Sequence, residues 1–333
     1  MSARHDVLVV GEVLVELSSP LPLEDTQLMH LSVSGDALNA AAAAAAAGAS
    51  VGLLTRVGDD ELGTRIVRFC EEHGVDTALI RRVPEPNGLY FVSADPDGER
   101  EFVYVRRGSA ASGLTPADVD AAGAGAAAAL VVSGVTQALS PSCAAAVERA
   151  ARAVHGAGGQ VVYDPNYRRR LTSPEAARSA FAAIAPLAAL VTPSSPGDAL
   201  ALLGTDDARD AAAACLRQGA RAAAVTRGAR GVLLDRGDGP LELPALPAPV
   251  VVDATGAGDV FAGTTAARLA LGDDLVDAVR LGGAAAALSL AGQGGTGRLP
   301  SLAEAREHLL LHAGPAGGGE RASLRSVSGG EAA

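Results

Sequence analysis

Apolar and polar positions at the start of the chain run DVLVVGEVLVEL, two β-rich pieces, Val7 to Val10 and Val13 to Leu17, set around Gly11. From Asp36 the alanine run through Ala47 reads as a helix that Gly48 stops. Val51 to Val57 is the next strand, and Glu61 to His73 then follows the helical period as far as Gly74. The pattern returns downstream. Leu130 to Val132, Gln160 to Tyr163, Ala189 to Val191 and Ala222 to Val225 read as short strands, with helices such as Ser142 to Val154 and Pro174 to Leu187 between them. Strands alternating with helices predict an α/β fold: a doubly wound, mostly parallel sheet with helices on both faces.

One segment breaks the rhythm. Asn87 to Ala94 and Glu99 to Arg107 read as two strands joined by Asp95-Pro96-Asp97-Gly98, a hairpin signal that predicts a projection from the main sheet. Period-two alternation puts Phe102, Tyr104 and Arg106 on one face of the second strand, with Glu101, Val103, Val105 and Arg107 on the other. That face is either the solvated side of an edge hairpin or the side that meets a ligand. Residues 313–333 are dominated by glycine and serine and have almost nothing to bury, which predicts a disordered tail.

Composition narrows the function. The 333 residues suffice for one large domain or two smaller ones, and 48% hydrophobic with 3% aromatic residues implies a core of small aliphatic side chains. A net charge of −11, with no basic run longer than Arg168 to Arg170, would repel a phosphate backbone and argues against nucleic acid as a partner. All the basic side chains apart from histidine are arginine. Cys70, Cys143 and Cys215 are widely spaced with no CxxC pair, which fits free thiols in a reducing compartment. No signal-peptide pattern opens the chain, and its alanine runs are far shorter than the ~20 residues of a membrane helix. The expectation is a soluble cytoplasmic protein.

The chemistry concentrates at Asp253-Ala254-Thr255-Gly256-Ala257-Gly258-Asp259, a glycine turn opening a helix that runs to Gly272. Unpaired N–H groups at a helix start point toward any anion placed there, and glycine lets a ligand approach the backbone. A carboxylate beside an anion hole would repel phosphate unless it had another task, and taking a proton from a hydroxyl nucleophile is such a task. The plainer alternative is that Asp259 only complements the helix dipole. Gly123-Ala124-Gly125-Ala126-Ala127-Ala128 fits GxGxxA but precedes a strand, the wrong placement for a dinucleotide fingerprint, and the P-loop lysine is missing.

Residues 253–259 resemble the DTTGAGD signature of the ribokinase (PfkB) family of carbohydrate kinases, departing only at Ala254. Ser34-Gly35-Asp36-Ala37-Leu38-Asn39 resembles the family's N-terminal glycine-pair motif, with Ser34 in place of the first glycine. RVGDDELG at 56–63, DPNYR at 164–168 and TRGARG at 226–231 follow in matching order, so that the resemblance spans roughly residues 6 to 312. It implies a ribokinase-like fold in a single domain, 1–312, with a small β-sheet lid from about 11–35 and 84–110. GLYFV at 88–92, EFVYVRRGSAAS at 101–112, VSGVTQALSP at 132–141 and DPNYRRRLTSPEAAR at 164–178 most resemble the 2-keto-3-deoxygluconate kinases of that family.

From this resemblance Gly35, Asp36, Asn39, Tyr90, Tyr104, Arg106 and Arg168 are expected at the sugar, and arginine suits the carboxylate of a sugar acid. Asn166, Ser195, Thr226, Gly228 and Gly231 are expected at ATP. Gly256, Ala257 and Gly258 would form the anion hole around the catalytic Asp259. The family's Asn-x-x-Glu motif, which orients Mg²⁺ through water, has its best counterpart in Ser195 to Asp198, making Asp198 the metal candidate. The implied reaction is ATP- and Mg²⁺-dependent phosphorylation of the terminal hydroxyl of a small sugar acid, and the resemblance admits a homodimer through the lid. Alternatives are another acceptor such as fructose, a deoxy-keto-inositol-derived acid or a nucleoside, a non-catalytic sugar-binding regulator, and a nicotinamide-dependent dehydrogenase.

Overall fold

Neighbouring side chains on a strand point to opposite faces, and the first strand, β1 (Val7–Val10), is apolar on both. Leu8 and Val10 belong to one hydrophobic cluster, Val7 and Val9 to another. A strand buried on both faces belongs inside a helix-covered sheet.

In this computed structural model, which describes residues 5–94 and 100–312, β1 is followed by β2 (Leu14–Ser19), β3 (His30–Ser34), α1 (Asp36–Ala46), β4 (Val51–Gly58) and α2 (Glu61–Glu72). Then come β5 (Val75–Asp76), β6 (Ile80–Val83), β7 (Gly88–Ala94), β8 (Arg100–Val105), α3 (Pro116–Ala122) and β9 (Ala129–Ser133). The chain continues through α4 (Gly134–Leu139), α5 (Pro141–Gly156), β10 (Gln160–Asp164), α6 (Pro174–Ile184), β11 (Leu190–Val191) and α7 (Ala208–Arg217). It ends with β12 (Ala223–Thr226), β13 (Val232–Asp235), β14 (Leu241–Leu243), α8 (Ala257–Ala270), α9 (Leu275–Ser289) and α10 (Leu302–His312).

The main sheet has the order β14-β13-β12-β11-β10-β9-β1-β4-β5, with β6 beside β4. It is parallel from β12 to β5. Its other edge is antiparallel, because the turn after β12 at Gly228–Arg230 is too short for a crossover and the chain reverses into β13 and β14. The expected doubly wound, mostly parallel architecture is present, extended by this edge and by α9.

A smaller sheet, β3-β2-β7-β8, comes from the two segments expected to form a lid. Antiparallel β7 and β8 are the two strands of the expected hairpin, while its turn at 95–98 lies outside the described residues, as does the tail 313–333. The predicted faces hold for residues 102 to 105. Phe102 and Tyr104 pack against Tyr90, whereas Val103 and Val105 on the other side are 41% and 56% exposed.

Helices α1 and α8 pack with almost nothing between them: a Cβ at Gly263 would run into the Ala40 carbonyl oxygen. An alanine-rich helix facing a glycine permits this approach, and it brings the amino-terminal ends of two helices distant in sequence to one place.

Candidate active site

Helix α8 opens at Gly256, whose φ of 80° lies in the left-handed region that favours glycine. A Cβ there would lie 2.8 Å from Gly295 Cα, so the turn is packed against the loop that follows α9. Asp253 ties the same turn down: its Oδ1 accepts from the Thr255 amide at 2.8 Å and its Oδ2 from the Gly294 amide at 2.6 Å. The first amides of a helix have no intrahelical acceptor. Those of Gly258 and Asp259 therefore open toward the strand ends.

Asp259 sits in this first turn. Its Oδ2 accepts from Asn39 Nδ2 at 2.8 Å, and Asn166 Nδ2 approaches Oδ1 at 3.4 Å. Asn166 holds φ at 40°, the one positive value outside glycine among the described residues, in the Asp164-Pro165-Asn166 turn after β10. Burial pushes the Asp259 carboxyl up to about 7, and the nearby Asp36 adds to the shift, while the Asn39 hydrogen bond and the charge of Arg168 oppose it. An acid poised near neutrality suits proton abstraction.

Further carboxyls crowd the cleft. Asp36, at the start of α1, is raised by burial although the Ser133 hydroxyl donates to it, and its Oδ1 has no partner. Asp164 is raised well above its ordinary range by burial, then by Asp198 and Asp259. Its Oδ2 lies 3.9 Å from where a Cβ on Gly258 would stand. Arg168 is exposed, donates to the Tyr167 carbonyl at 3.2 Å, and opposes the upward shifts of Asp36, Asp164 and Asp259.

On the lid side, Arg106 Nη1 donates to Glu12 Oε2 at 2.7 Å, and its guanidinium lies 4.3 Å from the centre of the Tyr104 ring. Tyr104 packs on Tyr90, whose hydroxyl donates to the buried Glu16. Gly35, at φ 117°, lies on the backbone of this segment, where a Cβ would come within 2.6 Å of the Glu12 carbonyl oxygen. The lid is tethered at two further points. Asn87 accepts from the Gly58 amide at 3.0 Å and donates to Asp60 at 2.8 Å, and Arg170 donates to the Phe102 carbonyl at 2.7 Å.

The residues expected at the nucleotide form a neighbouring group. The Ser195 amide donates to the Thr226 carbonyl at 2.8 Å, joining two of them at the strand ends. Gly228, at φ 56°, faces open space. At Gly231 a Cβ would strike the Leu243 carbonyl, so packing against β14 is itself a reason for glycine there. The Ser195 hydroxyl donates to the Asp206 carbonyl. Asp198, the metal candidate, accepts hydrogen bonds within the protein: Oδ1 from the Tyr167 amide at 2.7 Å and Oδ2 from the Ser194 amide at 2.8 Å and hydroxyl at 2.6 Å. It clamps two loops together. Among the described residues no three His, Cys, Asp or Glu side chains gather into a metal cage.

Asn39, Asn166 and Asp259 thus meet at the start of α8, the charges of Arg106 and Arg168 both reach Asp36, and Gly35, Tyr90 and Tyr104 lie on the side of the smaller sheet. Sequence reading missed Glu12, Glu16, Ser133 and Asp164. Their signal was positional: Ser133 and Asp164 end adjacent parallel strands, where open α/β sheets place their ligands. Glu12 and Glu16 are charges inside an apolar run.

A sequence model of the pfkB family of carbohydrate kinases matches residues 4–302. The chain belongs to that family. It is therefore a phosphotransferase acting on a sugar hydroxyl. This pfkB kinase is 35% identical to a 2-dehydro-3-deoxygluconokinase of Thermoproteus tenax, over 92% of this chain and 95% of the relative. It is 30% identical to fructokinase-2 of Zea mays, over 90% and 93% of the two chains. An E. coli protein described as a ribokinase II, solved with ATP and Mg²⁺, superposes with a TM-score of 0.84 at 26% identity, covering 92% of this chain and 99% of that one. No helix among the described residues is long and apolar enough to cross a membrane.

Proposed function

We propose that this kinase transfers the γ-phosphoryl group of ATP to the terminal hydroxyl of a sugar acid of the 2-keto-3-deoxygluconate type, with Asp259 as general base. The observation that carries this reading is the Asp259 carboxyl itself, raised to about 7 and set beside the free amides that open α8. Asn39 and Asn166 orient it. In the reaction Asp259 takes the hydroxyl proton as the sugar oxygen attacks the γ-phosphorus and the bond to the leaving ADP breaks. The Ala257 amide is taken by the Ala254 carbonyl at 3.3 Å, so of the expected anion hole Gly256 and Gly258, joined by the Asp259 amide, line the place where charge develops on the transferring group.

Thr226, Gly228 and Ser195 are assigned to the nucleotide, and Asp36, Tyr90, Tyr104, Arg106 and Arg168 to the sugar, with Gly35 giving it access to the backbone. Mg²⁺ fits the site because burial and like charge already push Asp164 up, so a cation would relieve it. Asp164 is the candidate to hold it, directly or through water, with Asp198 behind. When bound, the ion supplies neutralisation of phosphate charge. The family match over 4–302 supports treating 1–312 as one kinase domain. The exposed Val103 and Val105 face is the surface a homodimer through the lid would bury.

A neutral acceptor such as fructose is the second reading, favoured by one observation: Glu12 already neutralises Arg106. Phosphorylation assays with ATP over 2-keto-3-deoxygluconate, fructose and ribose decide between them. A kcat/KM higher for fructose than for the sugar acid would replace the first reading with the second, and no turnover of any sugar would end the base assignment.

A further inference from the structure

Glu12 and Arg106 form a pair that the lid and the main body share. Glu12 follows β1 in the body, and Arg106 follows the last strand of the lid. Their side chains are 1% and 10% exposed. One carboxyl oxygen of Glu12 accepts from Arg106 at 2.7 Å, and the other, Oε1, is buried with no partner. The backbone of Glu12 is held in place on both sides. Its amide donates to Thr136 Oγ1 at 3.2 Å, and Gly35 sits directly on its backbone.

We propose that Glu12 sets the discrimination between acidic and neutral sugars by competing with the substrate carboxylate for the Arg106 guanidinium. The inference rests on the reading in which Arg106 receives that carboxylate. A guanidinium has five N–H donors and can hold two carboxyl groups, but it has one charge to share. An ionised Glu12, a sugar carboxylate and Asp36 around one arginine would leave the cleft net negative where water cannot screen it. A sugar acid therefore binds with Glu12 protonated, the proton coming from solvent. A neutral sugar makes no such demand.

The surroundings allow this titration near neutrality. Burial pushes Glu12 up to about 7, Asp36 of α1 adds to the shift, and Arg106 opposes it. Tyr104 of β8 and Cys143 of α5 are the other titratable groups that its charge reaches. Below about 7 the guanidinium is free to pair with the substrate. Above it, Glu12 holds the charge.

Calorimetric binding of 2-keto-3-deoxygluconate and fructose across pH tests the proposal. For the wild-type protein the Kd of the sugar acid should rise by up to about tenfold per pH unit above the Glu12 midpoint, while that of fructose stays level. Glu12→Gln keeps the shape without the charge. It should flatten that rise and tighten sugar-acid binding by roughly tenfold one unit above the midpoint. A Glu12→Gln protein that keeps the wild-type slope, or that weakens both sugars alike, overturns the inference. Should Glu12→Gln fail to fold, equal slopes for the two sugars in the wild-type protein overturn it as well. Arg106→Ala separates the two levels: equal weakening of both sugars removes the sugar-acid reading itself, whereas selective weakening with an intact slope in Glu12→Gln removes only the role of Glu12.

Discussion

Asn39 Nδ2 donates a 2.8 Å hydrogen bond to Asp259 Oδ2 across 220 positions of sequence. Asn39 is 2% exposed on α1, Ser34 donates to its side-chain oxygen at 3.4 Å, and the close approach of α1 to α8 sets the separation. The bond favours the ionised carboxylate, so it opposes the burial that holds Asp259 near 7. Asn39→Ala should move the midpoint of the rise in kcat with pH upward by about 1 to 2 units, the equivalent of one charge-assisted hydrogen bond. A pH profile of kcat checks this. An unmoved midpoint would leave Asn39 with packing alone.

Asp259→Asn keeps the shape of the side chain and removes its basicity. Loss of a general base lowers turnover by about 10² to 10⁴-fold, and sugar binding measured by calorimetry should survive. Turnover within a few-fold of the wild type would dismiss Asp259 as the base.

The raised carboxyls also govern stability. Asp259 moves from 3.8 to about 7 and Glu12 from 4.5 to about 7, with Asp36 and Asp164 shifted in the same direction. Below the unfolded values all are protonated in both states and contribute nothing. As pH rises toward 7, the unfolded chain releases these protons first, so stability falls and then levels off above the folded values. Tm in low-salt buffer should therefore decline between about pH 4 and pH 7. At pH 8 Asp259→Asn should be the more stable protein, by at most about 4 kcal/mol. A Tm that rises with pH over that interval contradicts the shifts.

Gly263 is where α1 and α8 touch, and a Cβ there would strike Ala40. Gly263→Ala should destabilise by about 1–3 kcal/mol through overpacking and, by prising Asn39 from Asp259, lower kcat with it. Denaturant unfolding and steady-state kinetics read the two effects. A stable protein with full activity would show that the helices can part freely.

Much of the fold was legible because its cause is local. Short continuous apolar runs near glycine marked β1, β4 and β9 to within a residue or two, and the alanine run ending at Gly48 marked α1. Strand β3 was not legible, because His30 to Ser34 is half polar and takes its order from pairing with β2. Nor was the antiparallel edge, which depends on how short the turn after β12 is. At the site, Asp259 stood out because a carboxylate beside an amide-rich helix start needs a reason. Glu12 did not, since its meaning lies in Arg106, 94 positions away.

The chain by itself determined the alternation of strand and helix, the turn that opens α8 and the presence of an acid within it, because propensity, period and glycine act over a few residues. Only the tertiary structure decided that Asn39 and Asp36 would stand against that acid, that Asp198 would be bound up in its own loops, and that Arg106 would already hold a carboxylate. Charges settle by distance and burial, and both are properties of packing between segments that the order of residues does not bring together until the chain has folded.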